Sequence, residues 1–276
     1  MAGQRSVLIT GCSAGIGRLV AEGLRQRGYR VFATARRQED VEELMSLGFE
    51  ALQLDLASSA SISHAFAAVM DQTGNLLYAL FNNGAYGQPG AVEDLGRDAL
   101  REQFEINLFG THELTTLAIP VMRRQGYGRI IQNSSLLGYV ALKYRGAYNA
   151  SKYALEGLTD TLRMELAGSG IFVSLIEPGP IQSNFRLNAW HAFFKSIDGS
   201  RSHHRGAYTA LADRLRTEGP VAPFTLGPEA VLKCVIHALE SDRPRVRYRV
   251  TFPAHLFAFL KRILPDRMMD QILAKI

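Results

Sequence analysis

The stretch that decides the fold runs from residue 6 to residue 17 and reads SVLITGCSAGIG. Its first residues form a short apolar run without polar alternation, which is typical of a buried strand. Gly11, Gly15 and Gly17 then let the backbone turn sharply and let a phosphate group approach it. The helix that follows would supply free N–H groups and a positive dipole at its N-terminus. The stretch predicts a dinucleotide-binding turn, with an ordinary glycine-rich strand-to-helix turn as the alternative.

The same alternation of short apolar runs and helical segments continues through most of the 276 residues. Strands without polar alternation must be covered on both faces, and intervening helices imply parallel pairing through right-handed crossovers. We therefore expect a single α/β domain over residues 1–276, with a doubly wound parallel sheet flanked by helices on both faces. The remaining predicted strands are residues 30–34, 51–55, 77–83, 129–135, 171–178 and 247–253.

The alternation breaks once, from residue 182 to residue 226. This segment contains the single tryptophan, Trp190, together with Phe185, Phe193 and Phe194. A long insertion after a late strand is typical of a lid over the carboxyl ends of the strands, so we expect a substrate-binding loop here. Its aromatic side chains predict a hydrophobic carbonyl or alcohol as substrate, with packing of the loop onto the domain as the alternative.

The bulk composition excludes several classes of function. A net charge of +5, without a long block of basic residues, is too mild to indicate nucleic-acid binding. The two cysteines, Cys12 and Cys234, stand in no metal-ligand spacing and favour a reduced, cytoplasmic compartment. The scattered histidines predict no metal site. No apolar stretch approaches the length of a membrane-spanning helix, about 20 residues.

The C-terminal extension, residues 254–276, mixes apolar residues with Lys261, Arg262, Arg267 and Lys275. One interpretation is an amphipathic helix pair that rests on a membrane surface. The other is an oligomer contact or a cap over the substrate pocket, which we favour because Pro265 ends the first helix early.

The end of the second predicted strand bears on the choice of nucleotide. An NAD-preferring site usually carries an acidic residue there, but this chain has Ala35 followed by Arg36 and Arg37. Guanidinium groups match a 2′-phosphate in charge and in bidentate geometry. The pair predicts NADP(H) as cofactor, with Arg36 the preferred contact and a solvated arginine pair as the alternative.

The sequence YNASK at residues 148–152 places a phenol and an ammonium group four residues apart, on one face of a helix. A free phenol has a pKa near about 10, and a nearby ammonium group would lower it toward the range useful for proton transfer. Ser135, at the end of a predicted strand, could donate a hydrogen bond to a substrate carbonyl oxygen. The three residues predict an acid–base site, with a merely polar rim as the alternative.

These motifs together resemble the short-chain dehydrogenase/reductase family. The resemblance rests on TGCSAGIG at 10–17, NNG at 82–84, Asn107, Ser135 and the Tyr148–Lys152 pair, and it covers residues 7–183. It implies a Rossmann-type fold and assigns roles to single residues. Asp55 would contact the adenine ring, Asn107 would hold a water near the lysine, and Lys152 would also bond the nicotinamide ribose.

The resemblance completes the set of predicted site residues. The catalytic group comprises Asn107, Ser135, Tyr148 and Lys152. The substrate group comprises Ser135, Tyr148, Phe185 and Trp190. The cofactor group comprises Gly11, Ser13, Gly15, Ile16, Gly17, Arg36, Arg37, Asp55, Asn83, Tyr148, Lys152, Pro178, Gly179, Ile181 and Ser183.

Within the family, LITGCSAGIG, EPGPIQSNF and FTLGPEAV resemble bacterial NADP-dependent aldehyde reductases and 17β-hydroxysteroid and retinol dehydrogenases. The resemblance implies reduction of medium or long-chain aldehydes with Tyr148 as proton donor, and a homodimer or homotetramer. A hydroxysteroid or retinol dehydrogenase is the alternative. A non-catalytic NADP-binding sensor is the alternative outside enzymes, but such proteins tend to lose the tyrosine or the lysine.

Overall fold

A single parallel sheet forms the centre of the computed structural model, which describes residues 4–217, 219 and 222–276. Its strand order is β3-β2-β1-β4-β5-β6-β7, and every neighbouring pair is parallel. The chain builds outward from β1 to β3 and then returns to place β4 on the other side of β1, so the order reverses between these two strands. The predicted doubly wound sheet is confirmed. The strands are β1 (Ser6–Ile9), β2 (Arg30–Ala35), β3 (Glu50–Gln53), β4 (Ala79–Asn82), β5 (Gly128–Asn133), β6 (Ile171–Glu177) and β7 (Arg247–Arg249).

Helices cover both faces of this sheet, as its largely apolar central strands require. Along β1, Val7 and Ile9 point into one core while Leu8 points into the other, which follows from the two-residue period of a strand. The helices that precede the lid are α1 (Gly15–Gln26), α2 (Gln38–Ser46), α3 (Ser59–Thr73), α4 (Arg97–Phe104), α5 (Thr111–Gln125) and α6 (Gly146–Glu165). The later ones are α7 (Phe185–Ser196), α8 (Arg205–Arg216), α9 (Glu229–Glu240), α10 (Phe252–Ile263) and α11 (Asp266–Leu273).

The segment predicted as a lid contains α7 and α8, and its residues 218, 220 and 221 lie outside the described residues. A backbone bridge between Ile181 and Leu226 joins its two ends. The two helices pack around a small apolar core of their own, separate from the two cores that flank the sheet. We call it the lid core; it comprises Ala91, Ala189, Phe193, Ile197, Tyr208, Leu211 and Leu215.

The C-terminal residues form two further helices, of which the first packs against the loop that follows β5. The Thr251 hydroxyl caps α10 by accepting a hydrogen bond from the Ala254 N–H, and Pro265 separates α10 from α11. The Tyr139 hydroxyl donates a 2.7 Å hydrogen bond to the Ala254 carbonyl, which fixes α10 against the loop that follows β5. Among the described residues, no helix combines the length and the apolar character needed to cross a bilayer.

Candidate active site

The glycine turn between β1 and α1 is packed too tightly to accept side chains. A Cβ on Gly17 would lie 2.2 Å from the Gly11 carbonyl oxygen, and Gly11 and Gly15 adopt φ values of +70° and +59°. Ala14 is the N-cap of α1, and no side chain within the described part of the chain caps this helix. The N–H groups of its first turn are therefore available to an anion. This cradle fits the pyrophosphate of a dinucleotide.

Asn83 holds this turn against the end of β4. Its side-chain Nδ2 donates hydrogen bonds to the Thr10 and Gly11 carbonyls at 2.9 and 3.0 Å. The Thr10 hydroxyl in turn accepts from the Asn83 and Gly84 backbone N–H groups at 2.9 and 2.8 Å. The NNG motif is thus the partner that fixes the shape of the glycine turn.

A chain of hydrogen bonds connects the glycine turn to the predicted catalytic lysine. The Asn133 side chain donates from Nδ2 to Asn83 Oδ1 at 3.0 Å. The Lys152 ammonium donates to the Asn133 backbone carbonyl at 2.7 Å. Asn133 ends β5 and was not predicted to be a site residue. The sequence indicates it only as a polar residue at the end of an apolar run. Asn133 connects the predicted cofactor-binding residues to the predicted catalytic residues.

Tyr148 and Lys152 lie on the same buried face of α6, 8% and 3% exposed. The lysine nitrogen is 5.7 Å from the centre of the phenol ring. Burial lowers the pKa of Lys152 to about 8, an effect that the nearby Glu156 carboxylate opposes. The predicted register of the pair is present in the structure.

The phenol of Tyr148 differs from the sequence expectation in its acidity. We expected the ammonium group to lower the pKa, but burial raises the pKa of Tyr148 to about 12. The hydrogen bond with Ser135 and the charge of Arg145, rather than Lys152, oppose this shift. Desolvation of the phenolate therefore outweighs the neighbouring charges, and the group is a protonated phenol at neutral pH.

The structure distinguishes Ser135 from its neighbour. The Ser135 side chain lies near the phenol of Tyr148 and favours its ionised form, and the Ser135 oxygen accepts a hydrogen bond from the Leu137 N–H at 3.1 Å. The Ser134 hydroxyl instead lies close to the Glu156 side chain, since a Cβ added at Gly138 would lie 2.8 Å from Ser134 Oγ and 2.9 Å from Glu156 Cγ. Only the serine chosen from the sequence is beside the phenol.

Asn107 lies in a π-helical turn, Glu105–Gly110, between α4 and α5. Such turns are rare and occur frequently at functional sites. The Asn107 Nδ2 group donates to the Tyr86 carbonyl at 2.9 Å and to Ser151 Oγ at 3.2 Å. Its Oδ1 accepts from the Tyr86 N–H at 3.1 Å. The side chain fixes the segment after β4 against the catalytic helix, while its role in holding a water stays a prediction.

The residues predicted to bind the adenosine half follow β2 and β3 at the same edge of the sheet. Arg37 forms an ion pair with Asp40, with Nη2 and Oδ1 2.7 Å apart. Arg36 is exposed, and its guanidinium forms no ion pair with any residue that the structure describes. The Asp55 carboxylate accepts from the Ala57 N–H at 2.9 Å. Of the two arginines, Arg36 is the one left accessible to an anionic ligand.

The segment after β6 approaches the site from the opposite side of the glycine turn. The Pro178 carbonyl accepts from the Leu136 N–H at 2.8 Å, which ties this segment to the serine loop. A Cβ on Gly15 would lie 3.0 Å from the Ser183 Cβ, so the predicted serine sits against the turn. Gly179 packs on Thr251, and Ile16 and Ile181 pack against one sheet core, whereas Ser13 is exposed in the turn.

One of the two predicted substrate aromatics contacts the phenol. The rings of Phe185 and Tyr148 lie edge to face, with centres 5.3 Å apart. Gly87 leaves room for this contact, since a Cβ there would lie 2.8 Å from the Phe185 ring. Trp190 instead packs on Phe194 and borders the lid core. Its role in substrate binding stays a prediction.

Arg145 is a site residue that sequence reasoning missed. It lies immediately before α6, one turn before Tyr148, and burial lowers the pKa of its guanidinium to about 10. The nearby charge of Arg214 lowers that pKa further, whereas Tyr148 raises it. In the sequence, an arginine three residues before the tyrosine cannot be distinguished from an ordinary solvent-exposed arginine, because no periodic pattern indicates that it is buried.

Comparisons with known proteins agree with this geometry. The sequence profile of the family described as short chain dehydrogenase matches residues 5–192. An uncharacterized oxidoreductase of Escherichia coli, YbbO, is 44% identical over 98% of this chain and 94% of its own. The 17-beta-hydroxysteroid dehydrogenase type 6 of Rattus norvegicus is 33% identical over 98% and 88% of the two chains. A crystal structure of a short-chain dehydrogenase from Streptomyces avermitilis has 28% identity and a TM-score of 0.80, over 98% and 96%.

Proposed function

Since the chain belongs to the short-chain dehydrogenase/reductase family of oxidoreductases, we propose that it is an NADP(H)-dependent reductase of hydrophobic carbonyl compounds. Medium or long-chain aldehydes are the proposed substrates. The observation that carries the proposal is the buried, protonated phenol of Tyr148, which lies near the Ser135 side chain and one helical turn from Lys152. A phenol held in its acid form suits the reductive direction, in which the substrate oxygen must gain a proton.

The nicotinamide, when bound, supplies the hydride that is transferred to the carbonyl carbon. Tyr148 donates its phenolic proton to the carbonyl oxygen as charge develops there. Ser135 donates a hydrogen bond to the same oxygen, because its own oxygen is occupied as acceptor by the Leu137 N–H. Arg145 stabilises the phenolate that remains, since its charge already favours the ionised form of Tyr148.

Lys152 holds its place in the site through the Asn133 carbonyl, and the two remaining protons of its ammonium group can bond the nicotinamide ribose. With a pKa of about 8, it is charged at neutral pH, and its proton can pass to the phenolate after each turnover. Asn133 and Asn107 are positioning residues in this scheme, because they fix the lysine and the adjoining backbone.

The proposed preference for NADP(H) is supported by the end of β2. Ala35 offers no carboxylate to a ribose hydroxyl, and Arg36 is exposed without an ion pair among the described residues. A guanidinium in that position can bind a 2′-phosphate through charge-assisted hydrogen bonds. Arg37 contributes less, because Asp40 already neutralises it.

The proposed hydrophobic substrate is supported by the Phe185 ring at the phenol and by the aromatic lid. A hydroxysteroid or retinol dehydrogenase is the second candidate, favoured by the 33% identity to a relative named 17-beta-hydroxysteroid dehydrogenase. A non-catalytic sensor is disfavoured by the retention of both Tyr148 and Lys152. A homodimer or homotetramer in the cytoplasm completes the proposal.

The test is oxidation of NADPH, followed by absorbance, with decanal, retinal, estrone and a short aldehyde in parallel. Wild type should reduce decanal fastest, and Tyr148→Phe should lower kcat by about 100-fold or more while NADPH binding persists. Faster turnover of retinal or estrone would move the assignment to the second candidate. NADPH binding without reduction of any compound would contradict the reductase and favour the sensor.

A further inference from the structure

The outward face of α10 is an apolar ridge. Phe252, Leu256, Phe259 and Ile263 are spaced four, three and four residues apart, so they share one side of the helix. They are 56%, 37%, 60% and 56% exposed. The residues that α10 buries against the domain, Ala254 and Ala258, lie on the opposite side. The helix therefore reverses the usual arrangement, with small residues inward and large apolar ones toward solvent.

The ridge extends beyond α10. The ring of Phe224, at the end of the lid segment, lies 4.9 Å from that of Phe252 and is 58% exposed. Met268 and Ile272, 49% and 36% exposed, add apolar surface on α11. An exposed apolar area of this extent marks an interaction site. We call it the C-terminal apolar face; it comprises Phe224, Phe252, Leu256, Phe259, Ile263, Met268 and Ile272.

The charge around this face indicates what it binds. Residues 251–276 contain four basic side chains and two acidic ones, Asp266 and Asp270. Asp266 already pairs with Lys261 at 3.5 Å, so Arg262, Arg267 and Lys275 remain to attract an anionic surface. Phenylalanines on one side of a helix with basic residues at its borders are typical of a segment that lies in a membrane interface.

We propose that the C-terminal apolar face docks on the surface of a bilayer that contains anionic lipids, with Phe252 and Phe259 buried among the acyl chains. The basic side chains would contact the headgroups. This proposal does not depend on the reductase assignment. The large apolar side chains of α10 point away from the domain, so this helix does not form the cap that the sequence favoured, and the basic residues at the borders of the face favour an anionic bilayer over an oligomer contact.

The face lies beside the candidate active site. α10 follows Thr251, which packs on Gly179, one of the predicted cofactor-binding residues. It is also tied to the loop after Ser135 by the bond between the Tyr139 hydroxyl and the Ala254 carbonyl. A docked molecule would hold the entrance of its site close to the bilayer, where lipophilic compounds concentrate.

The test is flotation of the full-length protein with two kinds of vesicle, phosphatidylcholine alone and phosphatidylcholine with about 30% phosphatidylglycerol. We expect wild type to float with the anionic vesicles, and less so at high salt. The double variant Phe252→Ser/Phe259→Ser should bind about 100-fold more weakly, since each buried phenylalanine contributes about tenfold. Both residues are exposed, so its melting temperature should match wild type.

The matched control is Met45→Ser/Leu47→Ser, which removes two exposed apolar side chains beside β3, at the opposite edge of the sheet. It should float like wild type. Absence of wild-type flotation would overturn the proposal, as would equal loss in the control. If the protein is a dimer that Phe252→Ser/Phe259→Ser dissociates, and vesicles bind neither form, the face is an interface between two copies. None of these readouts uses catalytic activity.

Discussion

Replacing Gly17 by alanine should weaken NADPH binding far more than an ordinary helix substitution would. A Cβ at this position would lie 2.2 Å from the Gly11 carbonyl oxygen and 2.6 Å from Asn83 Nδ2. Carbon atoms normally approach such groups to about 3.5 Å, so the turn has to open by more than about 1 Å. The atoms that must move are backbone and a side chain already engaged in two hydrogen bonds.

The free-energy cost of the substitution follows from these contacts. Overpacking costs about 1–3 kcal/mol, and weakening the two Asn83 hydrogen bonds adds about 1 kcal/mol each. Alanine is the better helix former, which returns about 1 kcal/mol. The balance is a loss of about 2 kcal/mol or more, which corresponds to NADPH binding weakened about 30-fold. The loss falls on binding because the clash lies in the turn proposed to bind the phosphates, outside both sheet cores.

The assay is a fluorescence titration of NADPH with a parallel thermal melt. The matched control is Gly157→Ala, on the exposed side of α6, where an added Cβ meets nothing within 4 Å. It should bind NADPH like wild type and gain about 0.5–1 kcal/mol of stability. An unchanged dissociation constant in Gly17→Ala would refute the reasoning, because the turn would then tolerate a wider opening than its packing implies.

Three further predictions probe other parts of the protein. Arg36→Ala should raise the dissociation constant of NADPH about tenfold and leave that of NADH unchanged. The same change at Arg37 should have a smaller effect, because Asp40 already pairs with it; equal effects of both arginines in the titration would contradict the assignment. Ser135→Ala should lower kcat about 100-fold, whereas Ser134→Ala should affect the melting temperature rather than kcat; the reverse result in steady-state kinetics would mean that the other serine faces the substrate. Burial raises the pKa of Glu177 from its usual value of 4.5 to about 7. Protonation of Glu177 therefore favours the folded state, and this contribution to the free energy of unfolding is complete below pH 4.5 and is lost as the pH rises through 7. The melting temperature should therefore rise between pH 8 and pH 6, and Glu177→Gln should flatten that rise; parallel curves for the two proteins would show that another group is responsible.

The sequence predicted those features that repeat or lie close together along the chain. The apolar runs became strands because a buried parallel strand has little alternative to continuous apolar character, but the strand predicted at 247–253 extends only over Arg247–Arg249, and its last two residues begin α10. The register of Tyr148 and Lys152 followed from helical geometry alone. The glycine turn could be predicted because its positive φ values and close contacts exclude most other residue types.

The features that escaped prediction depend on contacts between distant residues. Asn133 meets Asn83 from 50 residues away, and no local pattern indicates that pairing. The raised pKa of Tyr148 reflects how completely the folded chain excludes water from it, which the identity of its neighbours on the helix does not reveal. The sequence shows that the large apolar residues of α10 share one side of the helix. It does not show whether that side faces the domain or the solvent.

The lid core has a consequence for how this protein can change. Its side chains come from α7, from α8 and from Ile197, which follows α7, with Ala91 contributed by another part of the chain, and this core is separate from the two cores that flank the sheet. The Tyr208 hydroxyl, which accepts from the Ala91 N–H and donates to Asp94, is a main fastening. Substitutions inside the lid can therefore accumulate without disturbing the sheet or the nucleotide cradle. A laboratory selection for new substrates should succeed most readily when the varied positions are confined to α7 and α8. Ala91, Asp94 and Tyr208 should be kept unchanged, because they join the lid to the domain.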